Sequence, residues 1–304
     1  VPELEINGRI LKLTNLEKVI WPAEGYTKHD MINFYIAISP YLLPFLKDRP
    51  CNFQRFPEGI HGKRFYQKNV PSFAPDWIRT FPIPSKERNI DYIVVSNLET
   101  LVYIANLACL EIHPWHSRVK SILNPDWGIV DLDPQEGVDF TAVIETARHV
   151  KEVLCQLELK GYPKTSGATG LQIYIPLKPL YTYEQVRDII GYICTLVHLK
   201  ARGVTTMERI IKKRGAKVYL DYLQNLWGRT INAPYTVRPV PSAQVSTPLT
   251  WDELLSGRIN PADFTIKNIF ARLEKTGDLF ESVVNQGQSA AAILKKIRER
   301  QGDR

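Results

Sequence analysis

Trp127-Gly128-Ile129-Val130-Asp131-Leu132-Asp133-Pro134 is an apolar run that ends in two acids one position apart. Side chains on a strand alternate between faces, so Asp131 and Asp133 project on one side and Leu132 on the other. Two carboxylates held that close repel each other. A divalent cation relieves the repulsion, and hard oxygen ligands select Mg²⁺ or Mn²⁺ over a softer metal. The plainer reading of the same residues is a solvated strand end, since Asp before Pro is also turn chemistry.

Outward from this strand the element order is regular. Phe140, Val143, Ile144, Ala147, Val150, Val153, Leu154 and Leu157 recur at helical spacing and predict a helix over about 139–159. Two short strands are expected at 162–166 and 171–177, joined by Gly167-Ala-Thr-Gly170. Val186, Ile189, Ile190, Ile193 and Val197 predict a second helix over about 183–200, and Lys217 to Tyr222 closes the set as a strand. The order β-α-β-β-α-β is that of the ferredoxin-like or RNA-recognition-like module, an α/β (α+β) arrangement whose first and last strands lie close together. That topology brings Asp221 towards Asp131 and Asp133. Ahead of the module, the pattern predicts a helix after Thr27, irregular chain over 71–84, a strand over 91–95, a helix over 98–109 and a strand over 110–113.

With 304 residues the chain can bury a substantial core, and its 44% hydrophobic and 23% charged content is that of an ordinary globular protein. No stretch approaches the ~20 apolar residues of a membrane span, and no amino-terminal signal pattern appears. The expected location is therefore the cytoplasm, with no membrane partner. Cys51, Cys109, Cys155 and Cys194 have no paired spacing, which argues against a zinc module or a disulfide framework and for buried reduced thiols. The net charge of +7 biases the protein towards a polyanion.

Three carboxylates on neighbouring strands are the usual protein contribution to two-metal phosphoryl transfer, a core that polymerases, nucleases and cyclases share. Thr165-Ser-Gly-Ala-Thr-Gly170 offers backbone N–H groups for a phosphate, although a hairpin needs the same glycines merely to turn. Arg55, Lys68, His113, Gln224 and Arg238 are further donors, and His113 reads equally well as a satisfied buried histidine. Phe65 and Tyr66 before Lys68 suit base stacking beside a phosphate-binding cation. Strand alternation sends the two rings to opposite faces, so one of them is expected to be buried.

Together these pieces resemble the polymerase domain of bacterial ligase D, a branch of the archaeo-eukaryotic primase superfamily used in non-homologous end joining. The resemblance runs from Leu13 to about Leu254. It is carried by Tyr26-Thr-Lys28, Arg55-Phe-Pro-Glu-Gly59, Phe65-Tyr-Gln-Lys68, Glu111-Ile-His-Pro-Trp115, Asp131-Leu-Asp-Pro134, Thr165-Ser-Gly167, Asp221-Tyr-Leu-Gln-Asn225 and Ala233-Pro-Tyr-Thr-Val-Arg238. It implies an archaeo-eukaryotic primase fold around the RNA-recognition-like module. Asp131, Asp133 and Asp221 are implied as catalytic ligands of two Mn²⁺ or Mg²⁺ ions. His113, Ser166, Gln224 and Arg238 are implied as nucleotide contacts, with Phe65 as the stacking aromatic and Arg55 and Lys68 as cations beside it. Asn15, Lys18 and Lys28 match the pocket for the 5′-phosphate of a gap, and Arg214, in Lys212-Lys-Arg-Gly215, matches the loop that meets the opposing DNA end.

One departure stands out. Gln172 occupies a position where the family usually has His, and Thr169 replaces a frequent lysine. Gln donates a hydrogen bond to phosphate but carries no charge, so stabilisation there is expected to be weaker. The implied activity is template-dependent filling of short gaps at double-strand breaks from nucleoside triphosphates, with ribonucleotides preferred and the protein associated with the nucleoid. Ku and a DNA ligase are the implied partners. A non-catalytic binding module for DNA ends and 5′-phosphates, or a primase, are the alternatives. The expected organisation is one catalytic domain over 1–282, with subregions 1–120, 121–245 and 246–282, followed by a basic helix or linker over 283–304. No ligase or nuclease segment is apparent, which leaves an independent protein and an excised domain both open.

Overall fold

The acid-bearing strand spans Trp127–Pro134 and is the centre of a five-stranded sheet. In the computed structural model, which describes residues 1–85 and 88–302, strands Tyr162–Thr165, Leu171–Pro176, Trp127–Pro134, Val218–Asp221 and Thr205–Thr206 lie side by side in that order. The first four are antiparallel in the order expected of the ferredoxin-like module. Thr205–Thr206 adds a parallel edge that the sequence reading did not include. Residues 303 and 304 of the segment expected as a basic helix or linker lie outside the described residues, and a helix covers Ala291–Gly302.

Two compact units divide the chain. One comprises 1–120, 230–246 and 264–277; the other comprises 121–229, 247–263 and 278–304. In the second unit the helices Phe140–Gln156 and Tyr183–Lys200 start on capped ends: Asp139 accepts from Thr141 N, and Thr182 accepts from Gln185 N within a capping box. Gly128 gives the second helix room, because a Cβ there would lie 2.7 Å from Cδ1 of Ile190. Gly128, Val130 and Leu132 therefore share the helix-covered face.

The opposite face changes character along its length. One cross-strand row, Ile129, Tyr174 and Tyr162, is apolar and sealed by buried Phe280, whose ring lies 5.5 Å from Tyr174 and 6.3 Å from Tyr162. The next row is polar: Lys164, Gln172, Asp131 and Asp221 are successive partners across four strands. Where the Asp221 strand ends, buried Asn225 takes over as a backbone surrogate. Its Oδ1 accepts from Ile129 N at 2.8 Å, while its Nδ2 donates to Ile129 O at 2.8 Å and to Tyr222 O at 2.9 Å.

In the first unit, strand Pro50–Arg55 pairs along one edge with Cys109–Pro114 and along the other with Phe65–Gln67 and Ile90–Val94. Helices Lys28–Leu46 and Leu98–Asn106 pack together beside it. Thr27 caps the first through a capping box with Asp30. The second ends three residues earlier than predicted, since Ala108 adopts φ +58° and Cys109 opens the next strand. The stretch expected to be irregular contains the edge strand Thr80–Ile83. Segment 230–246 is tied in by Trp21 Nε1 donating to Val240 O at 3.1 Å and by Ala233 N donating to Ile112 O at 2.9 Å. Cys51, Cys109 and Cys194 are buried thiols as expected, whereas Cys155 is exposed on its helix.

Asn225→Ala strands both polar groups of Ile129 inside the sheet. It should lower unfolding stability by roughly 2–4 kcal/mol in denaturant titration, from the cost of leaving buried donors and acceptors unpaired. An effect below ~0.5 kcal/mol would mean that water replaces the amide.

Candidate active site

Asp131 and Asp221 are direct partners in an antiparallel ladder, and Asp133 follows on the same face opposite Tyr219. Like charges directly opposite each other are unfavourable, and the surroundings show the strain electrostatically. Burial, then the charges of Asp221 and Asp133, push Asp131 up to about 7, against a hydrogen bond from the Gln172 amide and the charge of Lys164. Asp133 is also raised, by burial and Asp221, with Arg214 opposing. Gln172 is itself buried, and its Oε1 has no hydrogen-bond partner.

The other two carboxylates are already engaged. Asp221 accepts from Gln224 Nε2 at 2.9 Å and from Leu223 N at 3.0 Å. Asp133 lies 3.9 Å from the Arg214 guanidinium, which rests 3.6 Å from the centre of the Tyr219 ring. Among the described residues, no group of three His, Cys, Asp or Glu side chains is arranged to hold a metal ion as it stands. The donor chemistry nevertheless suits a hard divalent cation: three carboxylates on one sheet face, two of them held back from ionising by burial and then by like charge. For all three to act on one ion, Asp133 must exchange its contact with Arg214.

Ser166 and Gln172 flank the glycine turn. Ser166 Oγ accepts from Ala168 N at 3.2 Å and Gly170 N at 3.0 Å and so shapes the turn from within. Gly170 is required by space, because a Cβ there would lie 2.7 Å from the Leu132 carbonyl oxygen. Lys164, absent from the sequence reading, is fully buried behind Gln172. Its place follows only from the register of three strands.

The first unit carries the remaining candidates in three groups. Glu111, also missed, joins two of them: its carboxylate lies 3.1 Å from His113 Nε2 and accepts from Arg238 Nε at 2.5 Å. Since a carboxylate only accepts, His113 carries its proton on Nε2. Burial alone would raise Glu111, but His113 and Arg238 hold it at about 2. The signal for Glu111 was its position two residues before His113, on the same strand face. Tyr66 stands edge-on to His113, with ring centres 6.1 Å apart.

Arg55 centres the second group. Its guanidinium lies 5.0 Å from the centre of the Phe65 ring and donates to Leu107 O and Gln67 Oε1. Phe65 and Tyr66 are 40% and 60% exposed, so neither ring is buried, contrary to the expectation from alternation. Phe65–Gln67 is a three-residue edge strand, and each of its faces is only partly covered. Lys68, exposed beside Tyr66, lines an open pocket of about 430 Å³ with Arg88.

Lys28 is buried, and its Nζ donates to Thr14 O and, at 3.2 Å, to Thr14 Oγ1. Burial, then the charges of Lys18 and Arg55, push it down to about 8. Lys18 donates to Pro57 O at 2.7 Å and to Glu58 Oε1 at 2.9 Å. Asn15 starts the turn before Lys18 at φ +52°. A cation lowered by burial and by two neighbouring positive charges has chemistry that suits an anion.

Residues 27–280 match the family described as LigD, primase-polymerase domain. The bifunctional non-homologous end joining protein LigD of Bacillus subtilis is 37% identical over 95% of the chain, which spans 47% of that protein. The multifunctional LigD protein of Mycolicibacterium smegmatis is 31% identical over 88% of the chain and 35% of its own length. The chain thus spans about half the length of these curated relatives or less. The polymerase domain of Mycobacterium tuberculosis ligase D, solved in complex with DNA, superposes with a TM-score of 0.85 at 26% identity, covering 91% of this chain and 99% of that one.

Asp131 binds its proton more tightly in the folded chain than in the unfolded one, so its ionisation costs stability, progressively from pH ~4 to about 7. Asp131→Asn should therefore gain on the wild type across that interval, by roughly 1–3 kcal/mol, and hold a level advantage above it. Thermal unfolding against pH in the presence of a chelator measures this. A pH-independent offset would remove carboxylate repulsion as the cause.

Proposed function

We propose that this chain, which belongs to the LigD primase-polymerase domain family, is a template-dependent nucleotidyltransferase that fills short gaps at double-strand breaks in non-homologous end joining. The observation that supports this most directly is the pairing of Asp131 with Asp221 on one sheet face beside Asp133, a carboxylate set whose repulsion favours divalent cations. Two Mn²⁺ or Mg²⁺ ions held by these aspartates would activate the primer 3′-hydroxyl and neutralise the triphosphate.

The chain's own residues take the remaining tasks. Gln172 orients Asp131, and Gln224 orients Asp221. Ser166 shapes the turn whose N–H groups meet phosphate. His113 and Arg238, locked by Glu111, contact the nucleotide, and Phe65 with Arg55 and Lys68 offers stacking and charge to a base and its phosphate. Asn15, Lys18 and Lys28 receive the 5′-phosphate at the far side of the gap, where an anion offsets their mutual repulsion. Ribonucleotides are the preferred substrates, residues 1–282 act as one catalytic domain, and Ku and a DNA ligase are the partners at the break, in the cytoplasm at the nucleoid.

Asp131→Ala, Asp133→Ala and Asp221→Ala should each cut incorporation of labelled ribonucleotide into a gapped duplex with Mn²⁺ by roughly a thousand-fold or more, leaving folding and DNA binding intact. Incorporation surviving in any of the three sinks the assignment. A wild-type protein that shifts DNA mobility without extending it would instead be an end-binding module. Lys28→Gln should reduce the preference for 5′-phosphorylated over 5′-hydroxyl gaps by about ten-fold in the same assay, the worth of one charge-assisted hydrogen bond.

A further inference from the structure

Arg238 stands on a hairpin of the first unit that closes where Val237 pairs with Val245 and Arg238 N donates to Gln244 O at 2.8 Å. The tip of that hairpin, 239–243, is stiff and strained at once. Pro239 and Pro241 lock two φ angles, and the next two residues, Ser242 and Ala243, stand at φ +64° and +47°. That left-handed region suits glycine, and Ser or Ala adopt it where their surroundings impose it.

A second hairpin, made of strands Val19–Trp21 and Tyr26–Thr27, imposes it. Trp21 is fully buried and donates from Nε1 to Val240 O at 3.1 Å. Glu24, in the turn between the two strands, accepts from Ser242 N at 2.6 Å through Oε1, a charge-assisted bond that spans 218 positions of sequence. Its Oε2 is shielded from water and has no hydrogen-bond partner. The hairpin is itself fixed, with Lys28 N donating to Lys18 O at 2.8 Å, Gly25 N to Trp21 O at 2.9 Å and Ile60 N to Ile20 O at 3.0 Å. It is therefore a rigid frame against which the strained tip is held.

We propose that Glu24 and Trp21 are positioning residues for Arg238: by holding the tip in its strained shape they set where the guanidinium meets the incoming nucleotide. This rests on the reading of Arg238 as a nucleotide contact in gap filling. Glu111 locks the guanidinium at Nε, but the backbone from which the side chain springs is set by the hairpin. The pairing of Arg238 with Gln244 lies directly behind the tip, and the two prolines leave little slack between them, so a shift at Ser242 is passed on to Arg238. Glu24 and Trp21 themselves need touch no substrate. A role in stability alone would lower the melting temperature and leave nucleotide affinity as it is, whereas a positioning role weakens affinity and spares the chemical step.

The test uses the full chain, a gapped duplex and a labelled ribonucleoside triphosphate with Mn²⁺, and measures extension together with equilibrium binding of the same nucleotide. Glu24→Ala should raise the nucleotide KM about five-fold with kcat changed less than about two-fold, the worth of one charge-assisted hydrogen bond expressed in binding. Trp21→Phe, which loses the Nε1 donor, should shift KM in the same direction. Glu24→Gln keeps an acceptor for Ser242 N and should stay near the wild-type KM. Adding Ser242→Gly to Glu24→Ala should recover most of the loss, because glycine takes the positive φ unaided. In a double-mutant cycle, Glu24→Ala should add little to the KM defect of Arg238→Ala. A Glu24→Ala variant with wild-type KM, one whose defect lies in kcat alone, or one whose effect adds in full to that of Arg238→Ala overturns the proposal. Wild-type extension with any of these results refutes the positioning role alone. A wild type that binds the nucleotide without extending it refutes the polymerase, and the dissociation constants of the same variants then decide the positioning role; a wild type that binds no nucleotide refutes both.

Discussion

Two carboxylates that face each other across an antiparallel ladder set the terms for the whole second unit. Asp131 and Asp221 cannot move apart without breaking the register that also places Leu132 and Leu220 in the core. A one-residue slip would turn every core side chain of the strand to the wrong face. The surroundings therefore absorb the repulsion. Gln224 and a backbone N–H hold Asp221, Gln172 holds Asp131 with Lys164 behind it, and Arg214 leans towards Asp133. The apolar row sealed by Phe280 anchors the sheet beside them, so the charge conflict falls on strands that are fixed at their other end.

The first unit poses the opposite problem. Lys18, Lys28 and Arg55 are cations gathered near one another, and Lys28 is lowered by burial first and then by the other two charges. Glu111 shows how the same fold treats a buried acid that it keeps satisfied: two donors fix it and hold it far below the usual carboxylate range. A satisfied charge, Glu111, and an unsatisfied one, Lys28, thus lie in the same unit. Only the unsatisfied ones gain from a ligand of opposite sign, which is a physical way to tell scaffolding from binding residues.

Much of this was readable from residues alone, for identifiable reasons. Period-two alternation placed Asp131 and Asp133 on one face, and element order was enough to bring in Asp221. The long helices announced themselves by spacing. Register was not readable, and what depends on it was missed: Glu111 meets Arg238 across 127 positions of sequence, and Lys164 joins the polar row only through two strand pairings. Thr205–Thr206 is too short to show a period. Thr80–Ile83 contains Pro82, which lacks a backbone donor and is tolerated because the strand lies at a sheet edge. Alternation misled at Phe65 and Tyr66 because it assumes one fully covered face, and this edge strand of three residues is covered only in part on either side. Arg214 pointed inward because the nearest negative charge and aromatic face lay there, which no local pattern encodes.

The discontinuous build of both units has a consequence in time. Synthesis runs from the amino terminus, yet the first unit needs 264–277 and the second needs Phe280 before their cores close. The early strands must wait, with apolar surface uncovered, until synthesis has passed about residue 280. A nascent chain of this design is at greatest risk before that point, when chaperone cover matters most, and a premature stop near residue 260 would leave neither unit able to finish rather than one folded and one lost.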